Sequence, residues 1–305
     1  MPGKFIDSVL MNSGGKSIKI LPGMYGSLNF RFSGAQSGAT APTPTELGFL
    51  NIYYRNKIRS RIRFTELGVY NDKKYGAREL VQSAGDTQAF SFNFKLPFQH
   101  ADDHENIFYT GMEGEMRIEW VPDSALAARV SAASFLHVTG SERLGKMKYL
   151  FSWGRTEIAM VAGRTTPERI LPYNIMSLFI EYDTDIDAID LSVDGKAKLE
   201  SAELVEVLND DLLRNRIETY SASGYAEVDM VEAKSVLETL NSDVSLILNG
   251  SAADTISCFW TYADYQDSAN QVAETVYAQE KERILTTKVS SGGIGAIKVA
   301  SKLIL

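Results

Sequence analysis

Residues 57–64 read KIRSRIRF, with Lys57, Arg59, Arg61 and Arg63 at every second position and Ile58, Ile62 and Phe64 between them. A helix would scatter four such cations around its surface. A strand, whose side chains alternate between faces, lines them up on one side. The stretch therefore reads as a β-strand with one charged and one apolar face. The same period of two recurs outward from it. Phe90, Phe92 and Phe94 alternate through 88–95, and Met116, Ile118 and Trp120 through 114–121. Leu28, Phe30 and Phe32 oppose Asn29 and Arg31 in 26–33, and shorter β-type runs occupy 16–21, 47–54 and 107–110. Aromatic and β-branched residues at alternate positions suit packing between two sheets. Pro22-Gly23 and the small, polar stretch 33–45 (SGAQSGATAPTPT) punctuate these runs as turn and loop.

Val121-Pro122-Asp123 ends the pattern, and the Ala-rich run 124–133 reads equally as helix or strand. A domain boundary is expected within 122–145. Beyond it the cycle restarts, with strand candidates at 148–153, 156–162, 174–182, 187–193, 225–231, 244–248 and 254–262. Two helices are expected among them. Residues 202–217 carry Leu204, Val207, Leu208, Leu212 and Leu213 on one face, and 231–240 is a shorter candidate. Six to eight short strands per half, with long connections, predict an all-β fold, mainly β with a few short helices. The expected architecture is two tandem jelly-roll β-sandwiches plus a helical C-terminal extension. The expected limits are an N-terminal arm at 1–15, a first jelly roll at 16–135, a second at 136–268, and a C-terminal helix and tail at 269–305. The halves share no sequence repeat, so any duplication lies in structure alone.

The extension reads as a polar helix over 270–283, a Ser-Ser-Gly-Gly hinge at 290–293, and an apolar tail, IGAIKVASKLIL, carrying Lys298 and Lys302. At twelve residues the tail is too short to span a bilayer. Either it folds back on its own domain, or it reaches a neighbouring subunit or a membrane surface.

Composition narrows the function classes. The chain has 305 residues, 44% of them hydrophobic, which argues against disorder. Thirty-one Lys and Arg face 39 Asp and Glu, and the net charge of −8 argues against wholesale nucleic-acid binding. A single cysteine, Cys258, excludes an intramolecular disulfide framework; in its apolar run it reads as buried and inert. No apolar run reaches transmembrane length, and the first fifteen residues lack the apolar stretch of a signal peptide, so a soluble protein made without cleavable export is expected.

Charge is segregated. Residues 50–80 hold eight basic residues against three acidic ones, and 181–211 hold eleven acidic residues against Lys196 and Lys198. Either these are two solvated faces of one monomer, or the basic strand meets a neighbour's acidic surface. Lys57, Arg59, Arg61, Arg63, Lys298 and Lys302 are then the interface candidates. Nucleic acid is disfavoured as their partner because no aromatic residue interleaves on the arginine face of the strand.

The chemical motifs are sparse. Gly14-Gly15-Lys16-Ser17 imitates the end of a phosphate loop, but Leu10 stands where the motif needs glycine, and a strand follows where a helix is required. His100, Asp102, Asp103 and His104 form the densest ligand-like cluster; a solvated loop is the simpler reading, a divalent-cation site the sharper one. The three histidines, His100, His104 and His137, frame no recognisable nucleophile arrangement, and no Gly-x-Ser-x-Gly occurs. Asn249-Gly250-Ser251 is a glycosylation sequon that means little without export.

Taken in order, these elements resemble a known family. Ser17-Ile18-Lys19-Ile20-Leu21-Pro22 followed by Phe30-Arg31-Phe32-Ser33-Gly34 is similar to the opening strands of the double jelly-roll major capsid proteins of membrane-containing icosahedral bacteriophages, of the corticovirus and finnlakevirus type. Thr156-Glu157-Ile158-Ala159, then Pro172-Tyr173-Asn174-Ile175, then Asp187 to Gly195, is similar to their second jelly roll. The likeness spans roughly 16–265 and is carried by order and spacing; the 270–305 extension departs from the corticovirus pattern.

The resemblance implies a structural, non-enzymatic protein without a cofactor, a structural divalent cation aside. Homotrimers would form pseudo-hexameric capsomers, in contact with one another and with penton and minor capsid proteins, over an internal lipid membrane touched by a terminal arm. No direct nucleic-acid contact is implied. The location would be the virion capsid, after synthesis in the host cytoplasm. Two other functions are weighed against it: a carbohydrate- or receptor-binding spike module using Tyr53, Tyr54, Tyr70 and Tyr75, and a jelly-roll enzyme holding a metal on His100 and His104.

Overall fold

A computed structural model describes residues 3–37, 40–75, 89–100, 106–171, 174–181, 186–193, 196–203, 224–229 and 244–264. In the first half, β1 (Lys4–Leu10), β2 (Lys16–Lys19), β3 (Gly23–Ala35), β4 (Phe49–Tyr54) and β5 (Lys57–Arg63) precede helix α1 (Phe64–Tyr75). Strands β6 (Ala89–Pro97), β7 (Phe108–Thr110) and β8 (Met116–Val121), the short helix α2 (Leu126–Arg129) and β9 (Phe135–Glu142) follow. The second half comprises β10 (Leu150–Ala159), β11 (Arg164–Thr165), β12 (Arg169–Leu171), β13 (Ile175–Glu181), β14 (Ile186–Val193), β15 (Lys196–Glu203), β16 (Tyr225–Asp229), β17 (Val244–Gly250) and β18 (Thr255–Asp264).

Four antiparallel sheets result. The first half pairs β1-β9-β3-β6, with β7 on the end of β3, and β2-β8-β4-β5. The second pairs β10-β18-β13-β16 and β11-β17-β14-β15, with β12 also on β17. With β7 set aside and β11 and β12 counted as one position, both halves follow one rule. The first strand neighbours the eighth, then the third and sixth; the second neighbours the seventh, then the fourth and fifth. That is jelly-roll connectivity, twice, in two stretches without sequence repetition.

Alternation builds each core as expected. Phe30 and Phe32 of β3 lie opposite Phe94 and Phe92 of β6, and all four are buried. Phe32 meets Phe64 edge-on, with centroids 4.8 Å apart, and sits 5.7 Å from the Trp120 ring, the geometry that aromatic quadrupoles favour. The second core is aliphatic, built on Ile158, Leu178, Ile180, Leu191, Leu246 and Leu248. Cys258 is buried within it, as expected.

Several expectations move. The arm expected at 1–15 contains β1, which pairs with β9 from Lys4↔Gly140 to Leu10↔Phe135, so it is the first strand of the first sandwich. The boundary expected at 135/136 falls at the start of β9, which is hydrogen-bonded between β1 and β3; the first sandwich therefore continues through Glu142. Residues 148–153 and 156–162 are largely one strand, β10, and the ambiguous 124–133 run holds the short α2. Ala202 and Glu203, the expected start of a helix, close strand β15; the rest of that helix lies outside the described residues, as do the helices expected at 231–240 and 270–283 and the tail with Lys298 and Lys302.

Within 57–64, Ile58 is 56% exposed although it was placed on the apolar face. The register steps from Ile52↔Ser60 to Tyr53↔Ile58, leaving Arg59 as an extra residue, and such a bulge reverses the parity of everything beyond it. Phe64, read as the strand's last residue, starts α1 instead. The Glu66 carboxylate accepts the Arg63 backbone N–H at 2.9 Å, one half of a capping box, and Lys73 and Lys74 sit in the last turn where the helix dipole favours cations.

Candidate assembly surfaces and the joint that orients them

The functional geometry begins where the two sandwiches meet. Helix α1 buries Leu67, Tyr70, Asn71 and Lys73. Asn71 donates to the Lys95 carbonyl at 2.8 Å and accepts the Lys95 N–H at 2.7 Å, so the helix occupies the hydrogen-bonding groups of an edge residue of β6. Tyr70, with no exposed surface, points into the second half: its ring lies 4.9 Å from that of Trp153 and 5.9 Å from that of Phe179. One continuous core accordingly runs from Phe30 and Phe94 through Tyr70 to Phe151, Trp153 and Phe259.

Charged pairs cross the same joint. Lys74 Nζ lies 2.6 Å from Glu227 Oε1 and also pairs with the Asp229 carboxylate, and the three side chains are at most 6% exposed. Burial alone would pull the Lys74 amine down, but the two carboxylates outweigh it and hold its pKa raised. Arg155 Nε lies 2.9 Å from Glu66 Oε1. Burial pushes the Glu66 carboxyl up, against the opposing pull of the Arg63 N–H and Arg155. Edge strands β5 and β10 run alongside one another, where the Ser60 hydroxyl accepts the Trp153 N–H at 2.9 Å. The segment between β9 and β10 is pinned as well: buried Asn106 accepts the Lys148 N–H at 2.7 Å and donates to the Phe98 carbonyl at 2.6 Å.

The expected site residues scatter. His100, placed by sequence in a solvated or cation-binding loop, has no exposed surface; its Nε2 lies 3.1 Å from Ser177 Oγ and 3.7 Å from Asp229 Oδ2, inside the joint. Asp102, Asp103 and His104 lie outside the described residues. Among the described residues no three His, Cys, Asp or Glu side chains cluster closely enough to hold a metal ion. The basic strand divides. Arg59 lies 3.7 Å from Asp264 and Arg63 3.7 Å from Glu157, both acceptors in this chain's own second half, while Lys57 and Arg61 are exposed. An intramolecular seam thus takes up two of the four cations read as meeting a neighbour. Of the tyrosines considered for glycan binding, Tyr54 and Tyr70 are buried and only Tyr53 and Tyr75 are partly exposed, on separate elements, so no aromatic groove unites the four.

The residues that build the joint were largely missed by sequence reasoning. Leu67, Tyr70, Asn71 and Lys74 keep helical spacing, but the strand pattern just before them masks it. Glu227 and Asp229 share one buried face of β16, a pairing of carboxylates that demands a buried cation.

No family model and no curated protein sequence matches the chain. Solved structures do. The major capsid protein P2 from Bacteriophage PM2 aligns with a TM-score of 0.57 at 14% identity, covering 87% of this chain and 97% of that one. The crystal structure of the STIV MCP gives 0.62 at 14% identity over 88% and 97%, and the atomic structure of Sulfolobus Turreted Icosahedral Virus gives 0.64 at 15% identity over 91% and 97%. The chain has the double jelly-roll fold of these capsid proteins.

Proposed function

We propose that this double jelly-roll chain is a structural major capsid protein of an icosahedral virion, working by contact geometry rather than catalysis. The observation that carries the reading is the pairing of two sandwiches with the same core strand order by a buried seam, in a fold shared along 87% and 88% of the chain with two proteins named as major capsid proteins. Three chains bring six similar sandwiches together, so a homotrimer presents a pseudo-hexagonal outline that can tile a shell. Such capsomers would contact one another, penton and minor capsid proteins, and an internal lipid membrane reached by a terminal arm. A rigid joint serves this role, because a hinge between the sandwiches would blur the angles at which copies meet.

Negative-stain microscopy and light scattering of the purified chain test the reading. Three-fold particles with a hexagonal outline and three times the chain mass are expected; a monodisperse monomer at high concentration overturns it.

A further inference from the structure

The outer face of the sheet β2-β8-β4-β5 is a grid whose rows follow from the strand registers. One row places Val121, Phe49 and Arg63 side by side; the next Ser17, Glu119, Asn51 and Arg61; the third Lys19, Arg117, Tyr53 and Ile58. The buried residues Ile18, Ile118, Ile52 and Ile62 point the other way, into the core. Two cations lie over aromatic rings from the neighbouring strand: the Arg61 guanidinium 3.7 Å from the Phe49 centroid and that of Arg117 4.0 Å from the Tyr53 centroid. The one carboxylate of the grid, Glu119, is engaged by Asn51 Nδ2 and the Tyr53 hydroxyl, each at 3.0 Å. These bonds, helped by the nearby Arg117 charge, hold its pKa low, so it stays an ionised acceptor and offsets only part of the positive charge around it.

The face therefore presents Lys19, Arg61, Arg63 and Arg117 against one carboxylate, on a chain whose net charge is −8. Arg63 leans toward Glu157 at its rim. Among the described residues, Arg61 and Arg117 have no carboxylate within ion-pair distance; each is positioned by the ring it lies over. The acidic excess lies elsewhere, concentrated at 181–211 with eleven acidic residues against two lysines. Its described part includes β14 of the second sandwich, with exposed Asp187 and half-buried Asp190. In one molecule, sheet β10-β18-β13-β16 faces the first sandwich through the joint, so β14, in the opposite sheet, belongs to the far side.

We propose that this arginine–aromatic face is a docking surface whose occupant is the acidic 181–211 region of a second copy of the chain. Charge complementarity selects it: a basic face on the first sandwich and an acidic stretch belonging to the second make a head-to-tail contact, the kind that closes into rings. The inference rests on the self-assembly proposed above and assigns it a surface.

The test uses the full chain, with association followed by sedimentation velocity at several salt concentrations and folding by circular dichroism. Arg61→Glu with Arg117→Glu is expected to weaken association at least about tenfold while the melting curve is retained. Asp187→Lys with Asp190→Lys is expected to do the same, and mixing the two variants to restore association. If the Glu pair fails to fold, Arg61→Gln with Arg117→Gln replaces it, with a smaller loss expected. A wild-type chain that never associates overturns this proposal together with the capsid reading. A wild-type chain that associates while the Arg variants associate equally well overturns this proposal alone. Association lost only in the Arg variants, without rescue by the Asp variant and with loss of wild-type binding to anionic phosphatidylglycerol vesicles or duplex DNA, overturns the second copy as occupant.

Discussion

Lys74 Nζ stands 2.6 Å from Glu227 Oε1 across the joint, a contact between residues 153 positions apart in the chain, with both side chains buried. It is the charged counterpart of the Tyr70–Trp153 ring contact beside it, and together they make the two sandwiches one mechanical unit.

Removing that cation tests the seam. Lys74→Met leaves the Glu227 and Asp229 carboxylates buried without their amine, which costs about 3–5 kcal/mol by analogy with other buried pairs. Urea denaturation should show this loss, and Lys74→Met with Glu227→Gln and Asp229→Asn should recover much of it. A single Lys74→Met variant as stable as wild type contradicts the role. Because the folded-state pKa of Lys74 is raised above its ordinary 10.5, its stabilisation is complete below that value and is lost as pH rises through the folded one.

Cys258 gives a second alkaline marker. Burial, reinforced by Glu181, pushes its thiol from 9.0 up to about 12. The folded state therefore holds this proton more tightly, and the associated stability is full below pH 9 and declines toward 12. At pH 8.5 the native protein is expected to resist a thiol reagent that reacts stoichiometrically in denaturant. Fast labelling of folded protein would show that the β18 interior is open.

Glu115 predicts the opposite, acid-side behaviour. Burial pushes its carboxyl up, but Arg55, the Gly111 N–H and the Tyr54 hydroxyl together bring it below 4.5. Stability from this group is present above its unfolded pKa and is lost as pH falls through the folded one. Glu115→Gln should lower the melting temperature at pH 7 and narrow the difference from wild type as pH drops below about 4. A difference independent of pH would rule out the charge as the cause.

Gly154 tests packing rather than charge. It pairs with Trp260, and a Cβ built there would lie 2.5 Å from the indole ring. Gly154→Val should cost about 1–3 kcal/mol through overpacking, read as a lower thermal midpoint. Combining it with Trp260→Leu should recover part of the loss, an outcome that a purely conformational role for the glycine would not produce.

Much of the strand inventory is legible along the chain because the pleat is local: the alternation of Phe90, Phe92 and Phe94 needs no knowledge of what they pack against. The same locality explains the errors. Strand β1 has only Val9 fully buried, so Lys4–Leu10 offered no alternation to read and was taken for an arm. The aromatics that interleave with Arg61 and Arg117 were invisible because Phe49 and Tyr53 come from β4, and a one-strand view sees only its own two faces. His100 looked like a loop ligand because its neighbours in sequence are acidic, whereas its neighbours in space are Ser177 and Asp229.

By itself, then, the sequence determined the all-β character, the two-part organisation and the faces that turn inward, since these follow from period, turn chemistry and side-chain volume within a few residues. Tertiary structure alone decided where the charges go: Arg59 and Arg63 to the chain's own second sandwich, Lys74 to Glu227 and Asp229, Arg61 and Arg117 to an open face. A charge will accept any opposite partner that the fold delivers within a few ångströms, so its partner is set by strand order and by the seam between sandwiches, neither of which is written at any single position.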